Sequence, residues 1–248
     1  MKYKAIMLDL DDTTVPHGKL SAPSPRVLRA IAKAKQKIHV CIATGRPLDI
    51  TLPLIDHMSL SGPCIVNHGT VIYDPVKKKV IREVFLQSAS IPAIYEVCKK
   101  YNMFVLAFDG EKDAEYTGGS EDKLISMYIP QIVPSEIDAM MDAFAHVPHI
   151  TAHKLTGWDK NYMRIEVTHA EASKQHGILE VSRMLGLKTE EIIGVGDGYN
   201  DFSLLMACGL KIAMGNAVPE LKAIADFIAP TVDEDGVAVV IEKFILGQ

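Results

Sequence analysis

Four short apolar runs in this chain stop abruptly at polar residues, and no other feature restricts the fold as tightly. Residues 4–10 run into Asp11, residues 38–43 into Thr44-Gly45-Arg46, residues 63–66 into Asn67-His68-Gly69, and residues 191–196 into Asp197-Gly198. Between the first two, Val27, Leu28, Ile31 and Ala34 recur at helical spacing within residues 26–37. Runs that are apolar throughout and alternate with helices belong to strands buried on both faces, so βαβ units and a parallel sheet are expected. Ligands of such sheets bind beyond the carboxyl ends of the strands. Asp11, Thr44, Asn67 and Asp197 fall at those ends, so four strands deliver polar groups to one rim.

The middle of the chain reads differently. Residues 79–85, 103–108, 124–133, 149–155 and 163–167 look like strands that alternate in part. Two helical stripes fall among them, Ile91, Ile94, Tyr95 and Cys98, then Ile137, Met140, Met141 and Phe144. Residues 156–161 read as a hairpin loop. An antiparallel sheet with two helices on one face is the α+β solution, so residues 82–169 are expected as a domain inserted into an α/β core of 1–81 and 170–248. Beyond the insertion, residues 172–185, 201–207, 218–226 and 237–246 read as helices and 210–214 as a strand.

Composition excludes several classes. With 48% hydrophobic and 23% charged residues the chain is globular, and a net charge of −5 with no basic block argues against nucleic acid. The densest basic run, Lys77-Lys78-Lys79, reads as a solvated turn. No apolar stretch approaches the roughly 18 residues a membrane span needs. Cys41, Cys64, Cys98 and Cys208 lack C-x-x-C spacing, so reduced cysteines are expected rather than a zinc site or disulfides. Met1-Lys2-Tyr3-Lys4 leads straight into a strand, so no signal peptide and a cytoplasmic location are expected.

Chemistry concentrates at Asp9-Leu10-Asp11-Asp12-Thr13, the exit of the first strand. Close carboxylates repel, and a fold tolerates them mainly around a cation or where one holds a proton. Aspartates at i and i+2 can serve as nucleophile and acid/base around one Mg²⁺, although an acidic helix-capping turn has the same composition. In chain order there follow Ala43-Thr44-Gly45-Arg46, then Lys174, then Gly196-Asp197-Gly198-Tyr199-Asn200-Asp201. This set resembles the four motifs of the haloacid dehalogenase superfamily of phosphohydrolases. Asn67-His68-Gly69, Gly215-Asn216-Ala217 and Asp235-Gly236-Val237-Ala238 further resemble its Cof-type branch.

The resemblance implies a Rossmann-like three-layer α/β core with a parallel sheet, plus an inserted α+β cap with an antiparallel sheet that sets substrate specificity. It implies Mg²⁺-dependent hydrolysis of small phosphate monoesters, sugar phosphates or phosphorylated cofactors, by a monomer or homodimer. Asp9 would attack phosphorus to form an aspartyl-phosphate, and Asp11 would protonate the leaving group and then activate water. Asp9, the Asp11 carbonyl and Asp197 would hold the metal, with Asp201 either supporting it through waters or orienting Lys174. Leu10, Thr44, Gly45, Lys174 and Asn200 would contact phosphate, and Arg46 and Asn67 the substrate. Other readings stand beside these: Lys174 as a surface lysine, Asp201 as a helix cap, Arg46 as a salt-bridge residue. A phosphotransferase or phosphomutase would use the same intermediate, whereas a receiver-like signalling module would be about half as long and lack the cap. Asp12 replaces the usual Gly and Thr14 the usual Leu, neither expected to touch a catalytic atom, and His68 stands where the branch often has Asn, on the substrate side. His17, His68 and His176 are expected to have no catalytic role, and Lys154, Trp158 and Arg164 are candidate leaving-group contacts.

Overall fold

In a computed structural model the chain is described over residues 2–16, 22–119, 123–159 and 161–248, so His17 and Lys160 lie outside the described residues. It divides into two compact units, 1–82 with 174–248, and 83–173. The first unit opens with β1 (Ala5–Leu8), buried at all four positions. Next comes α1 (Pro25–Ala34), whose N-cap Ser24 accepts the Val27 amide at 3.2 Å and whose first residue, Pro25, has no N–H to satisfy. Its stripe of Val27, Ala30, Ile31 and Ala34 is buried. After β2 (His39–Ile42) stands a helix that the apolar pattern does not announce, α2 (Leu48–His57), with Pro53 inside it. Then β3 (Cys64–Val66), β4 (Val71–Asp74) and β5 (Lys79–Glu83) form a three-stranded sheet of their own.

That small sheet corrects two expectations. β3 touches the parallel sheet at a single bridge, Ala43 to Ile65, and otherwise pairs antiparallel with β4. The chain doubles back because Asn67 and His68 both adopt left-handed backbone, at φ 49° and 56°. β5, read as the first strand of the insertion, pairs here instead.

The second unit comprises α3 (Ser90–Lys100), β6 (Leu106–Phe108), β7 (Asp113–Glu115), β8 (Ser126–Ile132), α4 (Ile137–Phe144), β9 (Ile150–Thr156) and β10 (Met163–His169). Its antiparallel sheet runs β7-β6-β8-β10-β9. Ile91, Ile94 and Cys98 of α3 and Ile137, Met140 and Phe144 of α4 share one core with Met127, Ile129, Ile165 and Val167. Both helical stripes are therefore packing surfaces. The unit runs on to Ser173, because Thr168 Oγ1 donates to the Ala172 carbonyl at 2.7 Å and ties that segment to β10.

The chain then returns to the first unit with α5 (Lys174–Leu185), β11 (Ile192–Gly196), α6 (Phe202–Met206), β12 (Leu210–Ala213), α7 (Pro219–Ala223), β13 (Phe227–Ile228) and α8 (Gly236–Ile241). The helix read at 218–226 is only α7, and β13 follows directly. The core sheet has the order β13-β12-β11-β1-β2 and every pairing in it is parallel. α1 packs against α8 and α5 against α6, giving helical layers around a sheet whose strands end at one edge. This is the three-layer α/β architecture with a separate α+β unit. No helix among the described residues is long and apolar enough to cross a membrane.

Candidate active site

Asp9 follows β1 directly and anchors to the neighbouring strand, its amide donating to Val195 O at 3.0 Å. The next residues close into a tight loop in which the Leu10 carbonyl accepts the amides of Thr13, Thr14 and Val15 at 3.2, 2.8 and 2.9 Å. With the Leu10 side chain buried and its carbonyl used, any phosphate contact at this position falls to its backbone N–H. Asp12 sits at φ 53°, the left-handed region that Asp tolerates better than most residues, so the turn forms without glycine. Thr13 Oγ1 donates to Asp197 Oδ1 at 2.7 Å, joining the ends of β1 and β11. Thr14 Oγ1 donates to the Asp9 backbone carbonyl at 2.6 Å, so position 14 supports the segment that carries Asp9 without touching its carboxylate.

Lys174, the first residue of α5, is 1% exposed and places Nζ 2.6 Å from Asp9 Oδ1 and 2.6 Å from Asp201 Oδ1. It is no surface lysine. Asp201 Oδ2 accepts the amides of Asp197 and Gly198, each at 2.9 Å. Asp201 thus spends one oxygen on Lys174 and the other on the turn that carries Asp197. That approach requires glycine at 196, because a Cβ there would collide with the Asp201 carboxylate.

Carboxylate oxygens of Asp9, Asp197 and Asp201 come within 4.8 Å of one another, the one group of three or more metal-ligating side chains this close among the described residues. Burial, then the neighbouring Asp201, push the Asp9 carboxyl up to about 7, and Lys174 only partly offsets this. Burial and the charge of Asp9 likewise hold Asp197 well above the usual carboxylate range. Burial pulls the Lys174 ammonium down, but Asp201 and Asp9 outweigh it and keep it charged. One ammonium therefore faces three acids, Asp9 and Asp201 buried and Asp197 half-buried, a deficit of positive charge that a divalent cation with hard oxygen ligands would fill.

Arg46 reaches Asp11 from the end of β2 and grips it with two bonds, Nε to Oδ2 at 2.8 Å and Nη2 to Oδ1 at 2.5 Å. The Asp11 side chain accordingly stays out of the acid cluster, and the salt-bridge reading of Arg46 describes this state. Thr44 Oγ1 accepts the Arg46 amide at 3.1 Å, Asn67 N donates to Arg46 O at 2.9 Å, and His68 N to Thr44 O at 3.1 Å. The turns after β2 and β3 are thus laced together. His68 is buried, and its imidazole occupies the space a Cβ on Gly45 would need, so its ring serves packing beneath the Thr44-Gly45 turn. Asn200 stands half-buried in the turn after β11, apart from the hydrogen bonds of the acid cluster.

Asp9, Asp197, Asp201 and Lys174 form one buried cluster, Asp11 and Arg46 a pair beside it, and Thr44, Gly45 and Asn67 the adjoining turn. The contacts of two residues named in the sequence escape sequence reading, those of Thr14 and of Asn216, the latter donating to the Asp12 carbonyl at 2.7 Å. Both act on backbone carbonyls, which leave no mark in a sequence. A carboxylate held by a lysine beside a cation-seeking acid cluster can act as a nucleophile toward an anionic group.

The model of the haloacid dehalogenase-like hydrolases matches residues 6–128 and 120–241. The stress response protein YhaX of Bacillus subtilis is 34% identical over 100% of this chain and 95% of its own length. The 5-amino-6-(5-phospho-D-ribitylamino)uracil phosphatase YcsE of Bacillus subtilis is 28% identical, with 98% and 96% covered. A solved sugar phosphatase of subclass IIB shares the fold at a TM-score of 0.79 and 22% identity, over 97% of this chain and 98% of that one.

Proposed function

We propose, from the premise that the chain belongs to the haloacid dehalogenase-like hydrolases, that this phosphatase cleaves small phosphate monoesters through a phosphorylated Asp9 with Mg²⁺ as cofactor. The observation that carries the reading is Lys174 Nζ, buried at 2.6 Å from both Asp9 and Asp201. A carboxylate attacks a phosphate dianion only where positive charge is concentrated. Mg²⁺ held by Asp9, Asp197 and the Asp11 carbonyl would supply that charge, and it fits the acid cluster described above.

Lys174 fixes the Asp9 carboxylate, which forms a bond to phosphorus as the bond to the leaving oxygen breaks. Asp11 gives the leaving oxygen a proton, then takes one from the water that attacks the same phosphorus and frees Asp9. Its bidentate pair with Arg46 must open before Asp11 can face the leaving oxygen. The Thr44 hydroxyl and the Gly45 amide, with Asn200, bind phosphate oxygens, and Lys174 neutralises charge on the transferring group. Asp201 orients Lys174 and reaches any metal only indirectly, since both its oxygens are engaged.

For the leaving group, phosphorylated sugars and ribityl compounds are the class favoured, because YcsE and the subclass IIB structure bear names of that kind. The second unit is assigned the choice among such esters. The test is phosphate release from 4-nitrophenyl phosphate and from a panel of sugar and polyol phosphates. Turnover is expected with Mg²⁺ and none with Ca²⁺, whose larger, looser coordination would take up both Asp9 oxygens. Full turnover with Ca²⁺, or none with either ion, would overturn the reading.

A further inference from the structure

We propose that Asn216 is a positioning residue for the acid/base turn, acting through the Asp12 carbonyl. Asp12 lies between Asp11 and Thr13, and its left-handed backbone sets the direction in which the chain leaves Asp11. Its carbonyl is taken by Asn216 Nδ2 at 2.7 Å. The other end of the same amide, Oδ1, accepts the Val232 amide at 2.9 Å. A carboxamide offers a donor to a carbonyl and an acceptor to an N–H on two separate atoms at once, and a carboxylate or an alkyl side chain cannot. The two partners also fix which way the amide faces.

The loop that carries Asn216 is itself held at several points. Gly215 N donates to Pro230 O at 3.3 Å, Lys222 Nζ donates to Gly215 O at 2.6 Å, and Ala217 N donates to Met214 O at 2.9 Å. Val218 N, two residues beyond Asn216, donates to the Asp197 carbonyl at 2.9 Å. One short loop after β12 therefore grips both the turn that carries Asp11 and the residue that receives the Thr13 hydroxyl. Asn216 is exposed, so it contributes little apolar burial, and its effect is on where Asp11 sits.

The inference rests on the phosphatase reading, and two substitutions test it. Asn216→Asp keeps an acceptor for Val232 but turns a second acceptor toward the Asp12 carbonyl, while Asn216→Leu removes both bonds. Each should lower kcat on glycerol 2-phosphate by on the order of 10–100-fold, the scale of a misplaced catalytic group. The loss on 4-nitrophenyl phosphate should be at least about threefold smaller, because a good leaving group needs less help from Asp11. Melting temperature should fall by no more than about 4 °C, as for one exposed hydrogen bond. Variants that match the wild type, or lose both esters equally, would overturn the inference while leaving the phosphatase reading intact. A wild type inert on both esters would overturn that reading instead.

Discussion

In the first unit the charged groups gather beyond the strand ends, while in the second they spread over both faces of the sheet. The parallel strands are covered on both sides, so their only polar outlet is the edge where Asp9, Thr44 and Asp197 emerge. Four charged side chains are consequently packed into a buried knot. In the second unit, Ile165 and Val167 face the helices, and Arg164 and Glu166 alternate with them onto the opposite face. There the Arg164 guanidinium lies 4.9 Å from the Trp158 ring, and Trp158 stands edge-on to Tyr128 at 6.1 Å. Lys154, opposite Ile165, lies on the helix side and pairs with Asp138 of α4 at 2.8 Å. Charges that hold one another in a knot are coupled, so a change at one disturbs the function of all, whereas residues spaced along a sheet face can be changed one at a time. The reaction is accordingly proposed for the first unit and substrate preference for the second.

The harshest way to break this division is Asp9→Asn. Turnover should drop to background, and the melting temperature should hold, because the amide removes a carboxylate whose burial is unfavourable. Asp11→Asn should cost about 10²–10⁴-fold on alkyl phosphates and distinctly less on nitrophenyl phosphate, read from kcat on matched esters. Lys174→Ala should depress every ester together by about 10²–10³-fold. It should also destabilise the fold by about 3–5 kcal/mol, since buried acids lose their counter-charge. A loss confined to some esters would contradict its assignment to the shared phosphoryl group.

Metal and pH sharpen the same contrast. Asp9 and Asp197 titrate above their ordinary value of 3.8 in the folded chain, Asp9 at about 7. The folded state then binds these protons more tightly than the unfolded one. Their contribution to stability is full below about pH 4 and falls as pH rises toward 7. In a chelator the melting temperature should decline across that window, and added Mg²⁺ should raise it more at pH 8 than at pH 5. An equal Mg²⁺ effect at both values would detach the ion from these carboxylates. The smallest effect expected separates two residues of the second unit. Trp158→Ala should reorder substrates by a few-fold, and Lys154→Ala on the helix side should change nothing beyond measurement error. Reordering by Lys154→Ala would break the division by face.

Continuous apolar runs made the parallel strands legible, and with them the rim, because burial on both faces forbids polar interruptions. Less was legible where short polar or proline-containing segments fold by context. Pro53 breaks the period of α2, and β7 is exposed at all three positions, leaving no pattern to read. β3 ended as expected at Asn67 yet left the main sheet, a consequence of two left-handed residues that composition does not mark. At the site, the acids and the pairing of Asp201 with Lys174 could be named from spacing and resemblance, but most other partners could not. The grip of Arg46 on Asp11 spans 35 positions, and the bonds of Thr14 and Asn216 end on backbone carbonyls.

The central claim, that Asp9 carries the phosphoryl group, is tested most directly by trapping it. Asp11→Asn, which slows attack by water, is mixed with 4-nitrophenyl phosphate and Mg²⁺, quenched in acid and reduced with borohydride. An acyl phosphate becomes an alcohol, so peptide mass spectrometry should find homoserine at position 9, absent when Asp9→Asn is added to the same chain. Nitrophenol release with no change at position 9, or with reduction at another carboxylate, would contradict the account.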